Sequence, residues 1–184
     1  MNNDNFLFMN DFLDPDKILD NLILWPDMQA ADFGCGSGGW TIPLSKRLRK
    51  GEVVGLVYGV DVLDAPLSAL ESKARLEKIS NIKTVKTDLE KGCPFGDNSM
   101  DVVLATNIFF QMEDKSQLLG EIKRVLKPNG QALVVDWLDG TALSPKQGGI
   151  SAGELKEIAE KAGFRVKKEF SAGKWEWGML LIKN

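Results

Sequence analysis

The sequence predicts an α/β, doubly wound fold. Three observations carry that reading. Strand-like and helix-like patterns alternate along most of the chain, and two apolar runs, Val102-Val103-Leu104-Ala105 and Ala132-Leu133-Val134-Val135, suit strands covered on both faces. A glycine-rich turn, Gly34-Cys35-Gly36-Ser37-Gly38-Gly39, joins the first strand to a helical pattern. Alternation of this kind folds as a parallel sheet with helices on both faces.

In chain order, Asp14 is the expected N-cap of a first helix with Pro15 at its first position. Ile18, Leu19, Leu22 and Ile23 form one face of it, and Trp25-Pro26 end it. Residues 1–13 carry Phe6, Leu7, Phe8, Met9, Phe12 and Leu13, too apolar for a simple tail, so residues 1–26 read as a cover for substrate. A short strand then ends at Phe33, a helix occupies about 40–48, a second strand includes 56–60, and a helix lies within 66–79. The third strand is expected at 82–87, the fourth at 101–106, a helix at 115–126, and the fifth strand at 131–137 after the Pro128-Asn129-Gly130 turn. Residues 140–149 read as a surface loop. Ser151 and Glu154 form a capping box for a helix that runs to Ala162 and stops at Gly163. Two strands follow with no helix between them, at 164–170 and 175–182, which predicts an antiparallel hairpin at the edge of the sheet.

Length and composition bound the function. With 184 residues the chain suits one core, hence a single domain over 1–184. A net charge of -3, with the basic residues spread along the helices, excludes a general nucleic-acid binder. No apolar run approaches the ~20 residues of a membrane span, and the polar N-terminus lacks the regions of a signal peptide, so the cytoplasm is the expected location. Cys35 and Cys93 are the only cysteines and form no C-x-x-C pair, which argues against a metal site or a disulfide framework. The chain has no histidine, so an imidazole base, a histidine metal ligand and a Ser-His-Asp triad are all excluded.

The candidate site lies where the strands end. Asp32, Asp61, Asp88 and Asp136 close strands one, two, three and five, and Asn107 follows strand four. In a parallel sheet these ends share one edge, and open α/β sheets bind ligands there, at the reversal of strand order. One acid after a strand can be a mere cap or turn former; five polar residues together favour a site. Gly34, Gly36 and Gly39 satisfy the glycine spacing of a nicotinamide dinucleotide site, but a carboxylate at Asp32 would repel a pyrophosphate laid against the turn. S-adenosylmethionine brings an ammonium and a sulfonium to the same place, and for these an acid is favourable. Asp61 suits the two hydroxyls of a ribose in either cofactor; Asp88 can accept from an adenine amino group, with Val62 and Leu89 offering apolar surface.

With these residues in place the chain resembles the class I S-adenosylmethionine-dependent methyltransferases. Asp32-Phe33-Gly34-Cys35-Gly36-Ser37-Gly38 is similar to that family's D/E-x-G-x-G-x-G motif, Asp61 to its acid after strand two, and Asp88-Leu89 to its adenine-side position. Arg124-Val125-Leu126-Lys127-Pro128-Asn129-Gly130 is similar to its R-x-L-K-P-G-G turn, with Asn129 in place of the first glycine. Within the class the chain looks closest to the ubiquinone/menaquinone-biosynthesis type. The resemblance implies a Rossmann-like seven-stranded sheet of order 3-2-1-4-5-7-6, with S-adenosyl-L-methionine as cofactor and S-adenosyl-L-homocysteine as product. It implies that Asp32, Gly34, Gly36 and Gly38 hold the methionine portion, Asp61 the ribose, and Asp88 with Leu89 the adenine, beside Val62, with Cys35 also in the cofactor turn and Asn107 beside the sulfonium. Relatives often carry a histidine near the position of Phe110; this chain has Phe109-Phe110-Gln111.

Methyl transfer from a sulfonium is an in-line displacement whose leaving group is already activated, so alignment and desolvation dominate and a base is optional. Asp136, Glu113, Asp114 and Asp139 are the acids available for one, and no spacing singles out a catalytic residue among them. The substrate wall is expected from residues 1–13, Phe109-Phe110-Gln111-Met112, Trp137 and the loop to Gly149, around a small-molecule acceptor. Two other readings stay open: a cofactor-binding partner protein without catalysis, and an NAD-dependent oxidoreductase, which would lack a Tyr-Lys or histidine proton donor.

Overall fold

The computed structural model describes residues 13–140 and 149–184. Seven strands form one sheet: β1 (Gln29–Phe33), β4 (Leu56–Asp61), β5 (Ile82–Lys86), β6 (Met100–Thr106), β7 (Leu126–Trp137), β8 (Phe164–Ser171) and β9 (Glu176–Lys183). Their order is β5-β4-β1-β6-β7-β9-β8, the expected 3-2-1-4-5-7-6. The first five are parallel; β9 runs antiparallel between β7 and β8, so the terminal hairpin contributes the edge strand β8. A further two-stranded ladder, β2 (Arg49–Lys50) with β3 (Val53–Val54), lies outside the sheet and carries no pattern long enough to predict.

Helices cover both faces because the strands between them are apolar on both sides. One face buries Phe33, Val103, Ala105 and Val134 against Leu118, Leu119 and Ile122 of α4 (Lys115–Val125) and against α5 (Ala152–Lys161). The other buries Ala30, Leu104, Leu133 and Val135 against Ile18 and Leu19 of α1 (Pro15–Leu19) and Leu44 of α2 (Thr41–Arg47). At ~25 cal/mol per Å² of apolar surface, this two-sided burial is the main stabilising term. The Ser151–Glu154 capping box is formed, and Gly163 ends α5 at φ 86.

Three boundaries differ clearly from the sequence reading, one being that β7 begins at Leu126 and takes in the Pro128-Asn129-Gly130 segment expected as a turn before it. The first helix stops at Leu19 because the Gln131 side chain, far along the chain, holds the Ile23 backbone: its Oε1 accepts from Ile23 N at 2.9 Å and its Nε2 donates to Ile23 O at 2.7 Å. Ile23 is consequently 52% exposed instead of facing the core, and Trp25 beyond it is 60% exposed. The third helix, α3 (Asp64–Leu76), starts two residues before Pro66, whose missing N–H falls in the first turn, where it costs no helical bond. Residues 1–12 of the expected cover and 141–148 of the expected loop lie outside the described residues.

Candidate active site at the carboxyl edge of the sheet

The glycine turn leaves the centre of the sheet, where β1 is flanked by β4 and β6 in register, with Asp32 opposite both Gly59 and Leu104. Gly34 N and Cys35 N both donate to Val60 O at 2.9 Å, which folds the turn over the end of β4. The backbone is left-handed at Gly36 and Gly38, φ 51 and 89, a conformation that strains residues with a Cβ. A Cβ on Gly38 would stand 2.5 Å from Leu70 Cδ1, whereas one on Gly36 would meet nothing within 4 Å and would project into open space. Lys73 of α3 secures the turn from outside, donating to Ser37 O and Oγ at 3.0 Å each.

Asp32 is fully buried beneath this turn. Its Oδ2 accepts from the Thr41 hydroxyl at 2.6 Å, while its Oδ1 has no partner among the described residues. Burial pushes its carboxyl up to about 7, the Thr41 bond works against that shift, and the Asp61 charge adds to it. A buried acceptor without a donor costs about 1–3 kcal/mol, so the arrangement suits a ligand that brings a cationic donor. Cys35 is buried as well; desolvation first, then the charges of Asp32 and Asp61, push its thiol far up, so it stays protonated and inert.

Asp61, at the end of β4, holds two loops at once: Oδ2 accepts from Gly36 N and Oδ1 from Leu63 N, both at 3.0 Å. Asp88 caps the short 3-10 turn Leu89–Lys91, accepting from Glu90 N at 3.1 Å, and pairs with Lys91 at 2.9 Å. That ion pair holds the Asp88 carboxyl below the usual carboxylate range.

A cavity of ≈ 300 Å³ opens between these elements. Six of the predicted residues line it: Gly34, Gly36, Asp61, Val62, Asp88 and Leu89. Asp32, Cys35, Gly38 and Asn107 are not among its lining residues. Asn107 follows β6 in a left-handed conformation, φ 52, and its Oδ1 is a second buried acceptor at this edge with no partner among the described residues. Gln111 and Met112, expected in a substrate wall, do line the cavity; Thr87, Glu90 and Ile108 line it too and escaped the sequence reading, because no motif or spacing marks them. Ile108 matters through packing, since its Cδ1 would stand 2.7 Å from a Cβ on Gly34.

The acids considered as bases do not reach this cavity. Asp136 is 1% exposed and accepts from Phe109 N at 3.1 Å and Trp137 N at 2.8 Å, with Phe110 N also turned toward it. It thereby fixes the 3-10 turn Phe109–Gln111 to the end of β7. Burial nonetheless pushes its carboxyl up to about 6. Asp114 caps α4 by accepting from Gln117 N at 3.0 Å. Trp177, read as packing, is buried, with its indole N–H shared between the carbonyls of Trp137 and Ile150 at 3.1 Å. Among the described residues no cluster of His, Cys, Asp or Glu could hold a metal ion, and no helix is long and apolar enough to cross a membrane.

Comparison with known proteins points the same way as the geometry. A family model described as a methyltransferase domain matches residues 31–134, which span the glycine turn, Asp61, Asp88 and Asn107. An uncharacterised methyltransferase of Schizosaccharomyces pombe is 36% identical over 101 residues, 54% of this chain and 36% of that protein. A demethylmenaquinone methyltransferase of Staphylococcus aureus is 31% identical over 121 residues, 65% of this chain and 47% of the relative. The matches thus span about half or less of these curated relatives. A crystal structure of a SAM-dependent methyltransferase from Aquifex aeolicus is 26% identical and superposes over 100% of both chains with a TM-score of 0.82.

Proposed function

The chain belongs to the methyltransferase-domain family of S-adenosylmethionine-dependent enzymes, and from that membership we propose that it transfers a methyl group to a small-molecule acceptor at the cavity described above. The observation that carries the site assignment is the fully buried Asp32, whose Oδ1 lacks a partner under a turn that is open at Gly36. An ammonium supplies the missing donor and the compensating charge; a pyrophosphate would do the opposite.

When bound, the cofactor supplies a methyl group on a sulfonium, already activated for displacement. The chain's residues then divide the work of holding it. Asp32 takes the ammonium, and the backbone at Gly34, Cys35, Gly36 and Gly38 lies along the methionine portion. Asp61 accepts from the ribose hydroxyls with the lone pairs that Gly36 N and Leu63 N leave free. Asp88 accepts from the adenine amino group, and Val62 and Leu89 flank the ring. Asn107 stands on the sulfonium side, with Ile108 and Met112 excluding water. None of the acids at this edge is needed as a base: bringing the nucleophile into line and stripping its water supplies most of the acceleration.

The relatives named for demethylmenaquinone support a small acceptor and make a hydroquinone the first compound to try. The test is methyl transfer from S-adenosylmethionine labelled in its methyl group, scored across small-molecule, protein and RNA fractions. Label in an organic-extractable small molecule is the expected result. Label confined to protein or RNA would refute the acceptor class. No label in any fraction, with cofactor binding intact, would leave a non-catalytic binding protein in place of an enzyme.

A further inference from the structure

A second hollow of ≈ 300 Å³ lies at the opposite edge of the sheet, where the parallel strands begin. It sits beside the starts of β1 and β7 and the end of β9, with Met28 and Gln131 on its lining. Its floor is apolar, from Ile23, Met28 and Ile182, and two cations, Arg165 and Lys167, stand over it.

The local backbone brings those cations together. Arg165 and Lys167 belong to edge strand β8, whose ladder with β9 slips between Val166 and Lys168, leaving Lys167 as the extra residue of a bulge. Bulges re-aim a side chain. Neither cation has an ion-pair or hydrogen-bond partner among the described residues, although neighbouring Lys168 is bound to Asn21 and Lys156 pairs with Glu169. Asn129 adds a side-chain amide from a left-handed turn, φ 62, while the Gln131 amide is already spent on Ile23. Basic residues and a bulge on an edge strand also deter strand-to-strand association. That purpose does not require two unpaired cations to converge with an apolar floor on one hollow.

We infer that this hollow binds an anionic amphiphile, its phosphate head held by Arg165, Lys167 and Asn129 and its alkyl portion lying on Ile23, Met28 and Ile182. Two cations with a free amide match a phosphate, which accepts several charge-assisted bonds at once. The same chemistry is offered by a soluble alkyl phosphate and by the headgroup of an anionic lipid. Trp25, 60% exposed, is close in sequence to both Ile23 and Met28 and suits a lipid surface.

Hexyl phosphate titrated into the full chain, read by calorimetry, tests the site, with an R165Q/K167Q variant in parallel. Saturable binding that weakens by about tenfold or more in the variant is expected, each lost charge-assisted bond being worth about that factor. No saturable binding, or equal binding by the variant, overturns the proposal. Vesicles of phosphatidylglycerol identify the source. Sedimentation that the variant loses assigns the lipid headgroup, and hexyl phosphate binding without sedimentation assigns a soluble anion. S-adenosylhomocysteine affinity, measured on both proteins, is expected to stay unchanged, which separates failure here from failure of the methyltransferase reading.

Discussion

Asp32 gives folding and ligand binding opposite dependences on pH. Burial raises its carboxyl to about 7 in the folded chain, against ~3.9 for an unfolded Asp. Between about pH 4 and 7 the folded protein therefore holds a proton that the unfolded chain has released. The stability from this group is fully present below the unfolded value and is lost as pH rises toward 7. A ligand's ammonium group selects the ionised form, so affinity for S-adenosylhomocysteine should rise over the same range. Asp32→Asn is expected to flatten the fall in urea midpoint between about pH 5 and 8 while weakening that affinity by about 10–100-fold. Urea unfolding and calorimetry at the two pH values check both halves. The glycines separate in the same way. Gly36→Ala costs about 1 kcal/mol for its left-handed backbone and sends its Cβ into open space where the proposed cofactor would lie, so it should lose binding more than stability. Gly38→Ala drives a Cβ against the fully buried Leu70, and should lose about 1–3 kcal/mol of stability. Thermal melts with and without S-adenosylhomocysteine distinguish the pair.

At the scale of elements, the cavity wall formed by Ile108, Gln111 and Met112 is held by a residue that does not face the cavity. Asp136 gathers the backbone N–H groups of Phe109, Phe110 and Trp137, and the turn it fixes carries Ile108, Gln111 and Met112 to the cavity wall. Asp136→Ala is expected to cost about 1–3 kcal/mol, the price of orphaned buried N–H groups, and to speed hydrogen exchange at Phe109 and Phe110 ahead of the rest of β6 and β7. Exchange measured by NMR checks it; unchanged protection at those two amides would contradict the role. Asp136 also shows where sequence reading runs short. Its place at a strand end was legible, but whether a strand-end acid faces ligand or ties a loop depends on which backbone groups return to it through tertiary structure. The first helix shows the same limit: Ile18, Leu19, Leu22 and Ile23 have helical spacing, yet Gln131, 108 residues on, takes the Ile23 backbone out of the helix. The strands were legible because short apolar runs bounded by turn residues mark segments buried on both faces.

Across the whole molecule, the sheet order places the ends of β1, β4, β5 and β6 around one cavity and leaves the opposite edge to the second hollow. The order follows from the sequence through one rule and one exception: strands joined by helices lie parallel, and strands joined by Ser171-Ala172-Gly173-Lys174 do not. The candidate site was legible to the extent that chemistry marks it. Gly34, Gly36, Asp61, Val62, Asp88 and Leu89 were named and meet at the cavity. The partnerless state of Asp32 Oδ1 was not, because a missing hydrogen bond appears only when every neighbouring donor has been placed.

The central claim is that the glycine turn over Asp32 receives the ammonium of an adenosyl amino-acid ligand. Parallel calorimetric titrations of the chain with S-adenosylhomocysteine and with NAD test it most directly. Binding of S-adenosylhomocysteine at one site, lost in Asp61→Ala and unmatched by NAD, is the predicted result; tight binding of NAD with none of S-adenosylhomocysteine would contradict it.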